Sequence, residues 1–462
     1  MENKLETAAP EVSLKANSVS KTAVTIMAIS SAAPAMCMGG SMGTIMAGSG
    51  TAAALAFLIA TIAILLVGIS YGSLSERYNS CGGTYAYISN VFGEKAGFWT
   101  AFVYFGVTVT TSGAITTIFS TYINYLFPAI PMWVAFFFLV IPIFLIDWRG
   151  VELTSKALII VWVIQMVLLI WPAIKIITMA PEGFELGTSV SNAFTPTFGL
   201  SGLMAAVLVC VWSYVGFEAP AYMGEELKGG AKSVKFAIIV SGIAIGVIYV
   251  IACWVWTATM SPEQLDQLVG SGTLLADYTA LVGYAAGDKM VALATIVSCV
   301  GCFFGFSTMM SRFMYDLGRT GYLPKFFTKV NKHQTPSGGL IAYCSIAFFA
   351  CLYGSYCYSS EGLFGEGANL FDGVNDIFTY MSICASIAYA FICLANIKDR
   401  LGEKGIVAVL KYKVVPVFTF CLLVYMIFSS GIKYSIGTLV WMALAAITMT
   451  IFFAIRKKKA NA

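Results

Sequence analysis

The fold of this chain is decided by the stretch Val211-Trp212-Ser213-Tyr214-Val215-Gly216-Phe217-Glu218-Ala219-Pro220. It places one carboxylate, that of Glu218, in the middle of an apolar segment long enough to cross a bilayer. A charged side chain at the bilayer centre costs about 2.5–3.5 kcal/mol on insertion scales, so such groups usually face a cavity, an ion path or a substrate. Gly216 and Pro220 flank the acid, and both weaken helical hydrogen bonding. A charge beside a helix break inside a membrane therefore predicts a transport site.

The composition is that of an all-α integral membrane protein. Of the 462 residues, 59% are hydrophobic and only 11% are charged, which excludes an ordinary soluble globule. Apolar stretches of roughly 20 residues, each long enough to span the hydrocarbon core, recur along the chain. We predict about twelve transmembrane helices, at 23–48, 51–72, 97–126, 131–147, 154–177, 202–224, 234–259, 288–310, 338–357, 374–396, 413–430 and 435–455.

The distribution of Lys and Arg predicts the orientation of these helices. If the N-terminus is cytoplasmic, 24 of the 27 basic residues fall on that side, and only Lys175, Lys289 and Lys433 fall on the other. This asymmetry satisfies the positive-inside rule. We therefore expect a multi-pass protein of the cytoplasmic membrane with both termini in the cytoplasm. Membrane lipid is the expected surroundings, and nucleic acid is not an expected partner, because the basic residues are spread over short loops and one tail.

Two predicted spans are interrupted in comparable ways. The first contains Ser30-Ser31-Ala32-Ala33-Pro34-Ala35-Met36, and the sixth contains Gly216 to Pro220. They stand five spans apart, as the first members of two five-span repeats would. Matched interruptions are the best sequence indication of a midplane site in an inverted-repeat transporter. The alternative is that Gly and Pro only permit close helix packing, as at Gly301/Gly305.

The predicted organisation contains no soluble domain, and neither a cofactor nor a metal ion is expected. Cys299 and Cys302 form a CxxC, but no nearby His or second Cys pair completes a metal site. The predicted segments are a cytoplasmic N-terminal tail at 1–22, transmembrane helices 1–5 at 23–177, helices 6–10 at 202–396, helices 11 and 12 at 413–455, and a basic cytoplasmic tail at 456–462.

Three motifs resemble those of amino acid–polyamine–organocation (APC) transporters, and in order and spacing they cover most of the chain. They are the loop from Leu74 to Gly93 with Cys81-Gly82-Gly83-Thr84-Tyr85, the segment Gly216-Phe217-Glu218 followed by Gly224-Glu225-Glu226-Leu227-Lys228, and Ser311-Arg312-Phe313-Met314-Tyr315-Asp316 with Gly321-Tyr322-Leu323-Pro324-Lys325 downstream. The resemblance, to bacterial amino acid permeases in particular, implies the five-plus-five inverted-repeat (LeuT-like) fold with discontinuous helices 1 and 6. It also implies secondary active transport of amino acids or related amines by alternating access.

The sixth span is particularly similar to that of the arginine/agmatine antiporter type. In that type, the aromatic residue at the position of Trp212 closes over the substrate, and the acid at the position of Glu218 is linked to gating or protons. Proton-coupled symporters of the family often carry a lysine in the fifth span, where this chain has Gln165. A glutamine cannot carry a proton, so exchange, or proton coupling through Glu218, becomes the more attractive mechanism.

A zwitterionic amino acid needs hydrogen-bond acceptors for its ammonium group and donors for its carboxylate. An unwound helix provides both from its exposed backbone ends. We expect the carboxylate near Ser31–Met36 and the ammonium group near the carbonyls of Trp212–Val215. The candidate substrate-binding residues are Ser30, Ser31, Ala32, Ala33, Pro34, Ala35, Met36, Thr108, Thr111, Ser112, Trp212, Ser213, Tyr214, Gly216, Cys302 and Ser386. The candidates for gating or coupling are Trp212, Glu218 and Gln165.

Each of these residues also has a structural interpretation. Hydroxyl side chains within helices often bond to their own backbone, and Glu218 is either a proton-linked switch or a neutral acid that ties the broken helix to a neighbour. The charged run Glu225, Glu226 and Lys228 is either an inner gate or a solvated helix end. We expect Arg312 and Asp316, four residues apart, to form a pair at a helix end.

Other functions remain open at this stage. A polyamine or amine transporter would need several carboxylates in its cavity, and only Glu218 is clearly within a predicted span. A non-transporting amino acid sensor would share the same site. A membrane enzyme is disfavoured, since no paired acidic, His-rich or Ser/His/Asp constellation falls within the spans. The six-plus-six major facilitator fold also fits the number of spans, but its usual basic loop is missing. A monomer and a homodimer are equally compatible with the sequence.

Overall fold

Each of the twelve predicted apolar stretches overlaps a helix in a computed structural model that describes residues 14–180, 184–357 and 370–460. Parts of the predicted tails, residues 1–13 and 461–462, lie outside the described residues. The α-helices within the described residues are α1 Lys21–Ser31, α2 Pro34–Ser49, α3 Ala53–Ser75, α4 Gly83–Phe92, α5 Glu94–Leu126, α6 Met132–Asp147, α7 Val151–Thr178, α8 Leu186–Ala193, α9 Gly199–Tyr214, α10 Gly230–Thr257, α11 Pro262–Leu268, α12 Leu274–Leu281, α13 Gly287–Arg319, α14 Ser337–Cys357, α15 Leu370–Asp399, α16 Ile406–Val409, α17 Val415–Ser429 and α18 Ile432–Ala460.

The described helices are those of a membrane protein. Eight helical stretches are long and apolar enough to cross a membrane, one of them the 55-residue stretch Lys21–Ser75 that contains α1, α2 and α3. Three shorter helices, α6, α9 and the described part of α14, are also apolar. Large apolar side chains remain exposed on the outer helices, such as Phe138 on α6, Ile160 on α7 and Phe428 on α17. Lipid is the solvent that such a surface requires.

Helix boundaries follow from local sequence signals. The side chain of Ser20 accepts a hydrogen bond from the backbone N–H of Ala23 and caps α1. Ser261 and Gln264 form a reciprocal capping box at the start of α11. The segments 178–201 and 260–287, which lie between predicted spans, also contain the short helices α8, α11 and α12, which the sequence analysis did not predict.

The first predicted interruption is present, between α1 and α2. The helix stops at Ser31, and α2 begins at Pro34, which lacks the backbone donor needed to continue the helix. Between them, Ala33 adopts a left-handed conformation with φ 48°, which is unfavourable for a residue with a Cβ atom. The break therefore lies at Ala32 and Ala33.

The second predicted interruption is present as well. Helix α9 ends at Tyr214, and the chain then turns through Gly216, whose φ of 108° is accessible to glycine. A single 3₁₀ turn, Ala219–Tyr222, follows instead of an α-helix. Glu218 lies within this irregular segment, immediately before the 3₁₀ turn.

The two broken helices lie at the centre of the molecule. Helix α1 packs against α7, α10 and α13, whereas α9 packs against α2, α3 and α15. A Cβ atom added at Gly305 of α13 would collide with the side chain of Ser31, and one added at Gly301 would lie 2.6 Å from the hydroxyl of Ser30. The packing interpretation of these two glycines is confirmed, since they let α13 approach the first break.

Candidate functional site

A small internal cavity lies between the two helix breaks. The volume open to the centre of a water-sized sphere is only about 10 Å³, which is at the lower limit for holding one water molecule. All its lining side chains are buried. The lining residues are Ser31, Ala32, Met36, Cys37, Thr111, Ile115, Trp212, Val215, Cys302, Phe306 and Met381.

The backbone around this cavity presents helix ends of opposite polarity. The first hydrogen bond within α2 runs from the N–H of Cys37 to the carbonyl of Ala33 (3.0 Å), so the N–H groups of Ala35 and Met36 precede the regular ladder. The C-terminal ends of α1 and α9 contribute carbonyl groups. A helix N-terminus attracts an anionic group, and a helix C-terminus attracts a cation.

Tyr249 of α10 ties the two breaks together. Its hydroxyl lies 2.5 Å from the carbonyl oxygen of Ala32 and 2.9 Å from that of Ser213. These carbonyls belong to residues at or next to the interruptions in the first and sixth predicted spans. A fully buried tyrosine thus fixes the relative position of the two helix ends.

Trp212 lines the cavity and is backed by a second aromatic ring. The ring of Trp212 packs against that of Phe378 on α15, with centroids 4.1 Å apart. Trp212 is 3% exposed, and Phe378 is fully buried. The predicted aromatic residue therefore does line the cavity.

Glu218 is fully buried and held by three hydrogen-bond donors. The hydroxyls of Tyr104 and Tyr389 donate to its Oε1 atom at 2.7 and 2.8 Å, and the N–H of Gly216 donates to Oε2 at 2.9 Å. No cation pairs with it among the described residues. The tyrosine hydroxyls can also act as acceptors. The same partners therefore suit either the ionised or the protonated acid.

The structure brings six of the predicted substrate-binding residues to the cavity and places the others around it. The lining residues among them are Ser31, Ala32, Met36, Thr111, Trp212 and Cys302. The remainder form the turn of the first break (Ala33, Pro34, Ala35), pack at the breaks (Ser30, Ser213, Gly216), or lie on the surrounding helices (Thr108, Ser112, Tyr214, Ser386).

Three of the residues that do not line the cavity have different surroundings, and only Ser112 makes the bond to its own helix that the structural interpretation describes. The hydroxyl of Ser112 donates to the carbonyl of Val109 at 2.8 Å. Tyr214 turns away from the cavity, and its hydroxyl lies 2.6 Å from that of Thr61 on α3. The side chain of Ser386 is buried without a hydrogen-bond partner among the described residues.

Gln165 is fully buried on α7, and neither amide atom has a hydrogen-bond partner among the described residues. The hydroxyls of Ser30 on α1 and Ser298 on α13, two of the helices that pack against α7, are also unpartnered there. A buried polar group without a partner costs roughly 1–3 kcal/mol. The amide therefore has bonding capacity that the resting structure does not use.

We expect the substitution Gln165→Leu to raise the melting temperature of the detergent-solubilised protein and to slow substrate exchange. Leucine has a similar size and removes the unpartnered amide, whereas the transport expected from the sequence would lose a group that is free to bind water or substrate. The exposed residue Gln267 provides the control, because Gln267→Leu should change neither quantity. A more stable Gln165→Leu protein with full exchange activity would assign Gln165 to packing alone.

A second group of charged residues joins α13 to the segment after the second break. Arg312 contacts Glu226 through Nε and also through Nη2, at 3.0 Å from Oε1, and both side chains are buried. Asp316 pairs with Arg319 and accepts a hydrogen bond from Tyr85. The expected pair of Arg312 with Asp316 is therefore wrong. The spacing of residues along one helix does not show whether an acid of a neighbouring segment, such as Glu226, lies closer to Arg312.

The interpretation of Glu225 and Glu226 as a solvated charge run is also wrong. Arg319 donates hydrogen bonds to Glu225 at 2.7 and 3.1 Å. Burial acts to raise the pKa of the Glu225 carboxyl, but the hydrogen bond and positive charge of Arg319 outweigh it and lower that pKa. The depressed pKa keeps this ion pair charged at neutral pH, and acid weakens it only below the ordinary range of a carboxyl group.

The N-terminal segment packs against the same region. The N–H of Ser18 donates to the carbonyl of Glu226 (2.9 Å), and the N–H of Lys228 donates to that of Val19 (2.9 Å). Cys81, Glu225 and Asp316 are close enough to hold a metal ion by distance alone. Arg319 already donates to both carboxylates, so a guanidinium group supplies the positive charge there.

Sequence reasoning missed Tyr104, Tyr249, Phe306 and Phe378. Tyr104 lies one helical turn before the predicted residue Thr108, so helical periodicity could have placed it on the same face. The others are aromatic residues in a chain that is 14% aromatic, and no local pattern distinguishes them. Tyr389 of the tenth predicted span, whose hydroxyl is a possible polar contribution to the site from the sequence alone, contacts Glu218.

Comparison with known proteins finds a matching protein family and several relatives. A family model described as amino acid permease matches residues 20–455. The D-serine/D-alanine/glycine transporter of Escherichia coli K12 is 24% identical over 353 residues, which cover 74% of this chain and 71% of that protein. The low-affinity putrescine importer PlaP of the same strain is 25% identical over 305 residues, covering 64% and 66%. A probable amino-acid permease of Schizosaccharomyces pombe, meu22, is 25% identical over 395 residues, covering 79% and 66%.

Proposed function

Because this chain belongs to the amino acid permease family of the APC superfamily, we propose that it carries amino acids across the cytoplasmic membrane by alternating access. The family and the relatives above are transporters, not enzymes. The observation that supports this function is the cavity lined by both helix breaks, with Ser31 and Ala32 from one and Trp212 and Val215 from the other.

The proposed fold is a five-plus-five inverted repeat of twelve transmembrane helices with both termini in the cytoplasm. The matched breaks five predicted spans apart support it. The substrate carboxylate binds near the start of α2, and its ammonium group binds near the carbonyls at the ends of α1 and α9. About 10 Å³ of open space holds no amino acid, so the cavity has to widen when a substrate binds.

Two closures separate this cavity from the aqueous phases. Trp212, which packs against Phe378, covers it on one side. The ion pairs Glu226–Arg312 and Glu225–Arg319 join α13 to the segment after the second break on the predicted cytoplasmic side. Opening one closure at a time gives alternating access. Glu218, whose partners suit two protonation states, couples the cycle to protons, either in symport or by setting the direction of exchange.

The proposal is tested by thermal stabilisation and counterflow with the purified full chain. We expect a subset of amino acids to raise the melting temperature, and proteoliposomes loaded with the best of them to take up the labelled compound. The control is a variant with Gly216→Leu, since leucine is strained at a φ of 108° and would collide near Ser31. Ligand stabilisation without counterflow would identify a sensor instead, and a chain that neither binds nor exchanges any amino acid or amine would overturn the proposal.

A further inference from the structure

We propose that the cavity selects amino acids with a neutral, apolar side chain and rejects diamines, an inference that rests on the proposed function. The relatives named above differ in this respect, because one is named for D-serine, D-alanine and glycine and another for putrescine. The lining of the cavity distinguishes between these possibilities.

The backbone groups of the two breaks are assigned to the carboxylate and ammonium group of the substrate. Most of the side chains that line the cavity are apolar, and together they form an apolar wall. The lining residues Met36, Ile115, Val215, Phe306 and Met381 have side chains made only of carbon and, in the methionines, thioether sulfur. Trp212 adds an aromatic face. An apolar wall favours a ligand side chain that buries more methylene groups. One additional methylene changes the preference between two ligands by roughly 10–200-fold.

The few polar side chains of the lining are already engaged. The thiol of Cys302 donates to the carbonyl of Ser31 at 3.0 Å, and the hydroxyl of Thr111 lies 3.2 Å from the sulfur of Met381. The hydroxyl of Ser31 donates to the carbonyl of Met27 at 2.7 Å. A hydroxylated ligand side chain would have to displace one of these contacts, so its hydroxyl group should add little to the affinity.

No carboxylate lines the cavity among the described residues. The nearest buried acid of the break, Glu218, is bound by Tyr104, Tyr389 and the N–H of Gly216. An ammonium group buried without a paired charge is strongly unfavourable. A diamine carries two such groups and lacks the carboxylate that the start of α2 would bind, so this wall excludes it.

Two unbranched methionines make the wall adaptable. Met36 and Met381 have three rotatable side-chain bonds each and fill irregular gaps without a fixed shape. The closed cavity is too small for any amino acid, so these side chains must yield when a ligand enters. We therefore expect a range of apolar side chains to bind, with leucine and methionine among the tightest ligands.

The first test is competition by leucine, methionine, glycine, D-serine, lysine and putrescine in counterflow and thermal stabilisation of the wild-type protein. We expect leucine or methionine to compete at concentrations at least tenfold below glycine and D-serine. Lysine and putrescine should not compete. A preference for glycine, D-serine, lysine or putrescine would overturn this inference while leaving amino acid or amine transport intact. Failure of all six ligands to bind would instead count against the proposed function.

The second test adds a charge to the wall. We expect Met381→Glu to gain binding of lysine or putrescine by at least tenfold relative to Met381→Gln, and to lose leucine. The two variants differ only in one ionisable group, so the glutamine variant controls for size and polarity. Equal ligand preferences in two folded variants would show that position 381 does not face the substrate side chain. The wild-type competition decides the inference should the glutamate variant not fold.

Discussion

Proteoliposomes carrying Glu218→Gln should exchange substrate but should no longer accumulate it when a proton gradient and membrane potential are imposed. Moving one charge across 100 mV is worth about 2.3 kcal/mol, and a factor of ten costs about 1.4 kcal/mol. One coupled proton therefore supports an accumulation of roughly 40- to 50-fold. The variant should approach equal concentrations on both sides.

Glutamine is a suitable replacement because the surroundings of Glu218 tolerate a neutral group. Its amide oxygen can accept the N–H of Gly216, and its NH₂ group can donate to the hydroxyl oxygens of Tyr104 and Tyr389. Counterflow, which needs no gradient, checks that binding and conformational change survive. Glu263, an exposed acid at the start of α11, supplies the control variant Glu263→Gln.

A Glu218→Gln protein that still accumulated substrate 40-fold would remove the acid from proton coupling. Glu218 would then be a structural link between the second break and two neighbouring helices. The tyrosine variants distinguish these roles further. Tyr389→Phe removes one donor to Oε1 and leaves the acid in place, so it should alter the pH at which accumulation is half-maximal without abolishing it.

The positions of the two breaks were predictable because backbone chemistry is local. Pro34 and Gly216 act through the conformation of their own backbone, and both helices are interrupted there. Glu218 was predictable for a similar reason, since a lone acid in an apolar stretch stands out. The register of the first break was not predictable, because a left-handed Ala33 is held by the surrounding packing and not by its own preference.

The partners of these residues could not be read from the sequence. Tyr104 and Tyr389 reach Glu218 from α5 and α15, more than a hundred residues away on either side. Arg312 was assigned to Asp316 because helical spacing reports only neighbours on the same helix. The observed pairing with Glu226 depends on how the segment after the second break folds back onto α13. The cavity is therefore a tertiary property, although several of its lining residues were anticipated.

The Glu226–Arg312 pair gives the second large effect. We expect Arg312→Met to expose the predicted cytoplasmic side of the protein, with Cys81, which is fully buried in the adjacent cluster, as the reporter. Removing one member of a buried ion pair costs roughly 3–5 kcal/mol, because the remaining charge is uncompensated. Here Glu226 loses its partner, and the buried Asp147 loses the nearby guanidinium. Opening this side to water relieves this cost, so the population of the open state relative to the closed state should rise by more than about a hundredfold.

The measurement is the rate at which a membrane-impermeant maleimide labels Cys81 in inside-out vesicles, with Cys81→Ser identifying the signal. The matched control is Lys15→Met, which breaks the exposed pair of Lys15 with Glu152 and should change the rate little, since such pairs contribute about 0–1 kcal/mol. The double variant Arg312→Met/Glu226→Leu removes both charges and should label more slowly than Arg312→Met alone. Equal labelling of Arg312→Met and Lys15→Met would show that the buried pair does not hold this side closed. Slower labelling of the double variant than of Arg312→Met would show that the charge left unpaired, and not the lost side-chain volume, drives the opening.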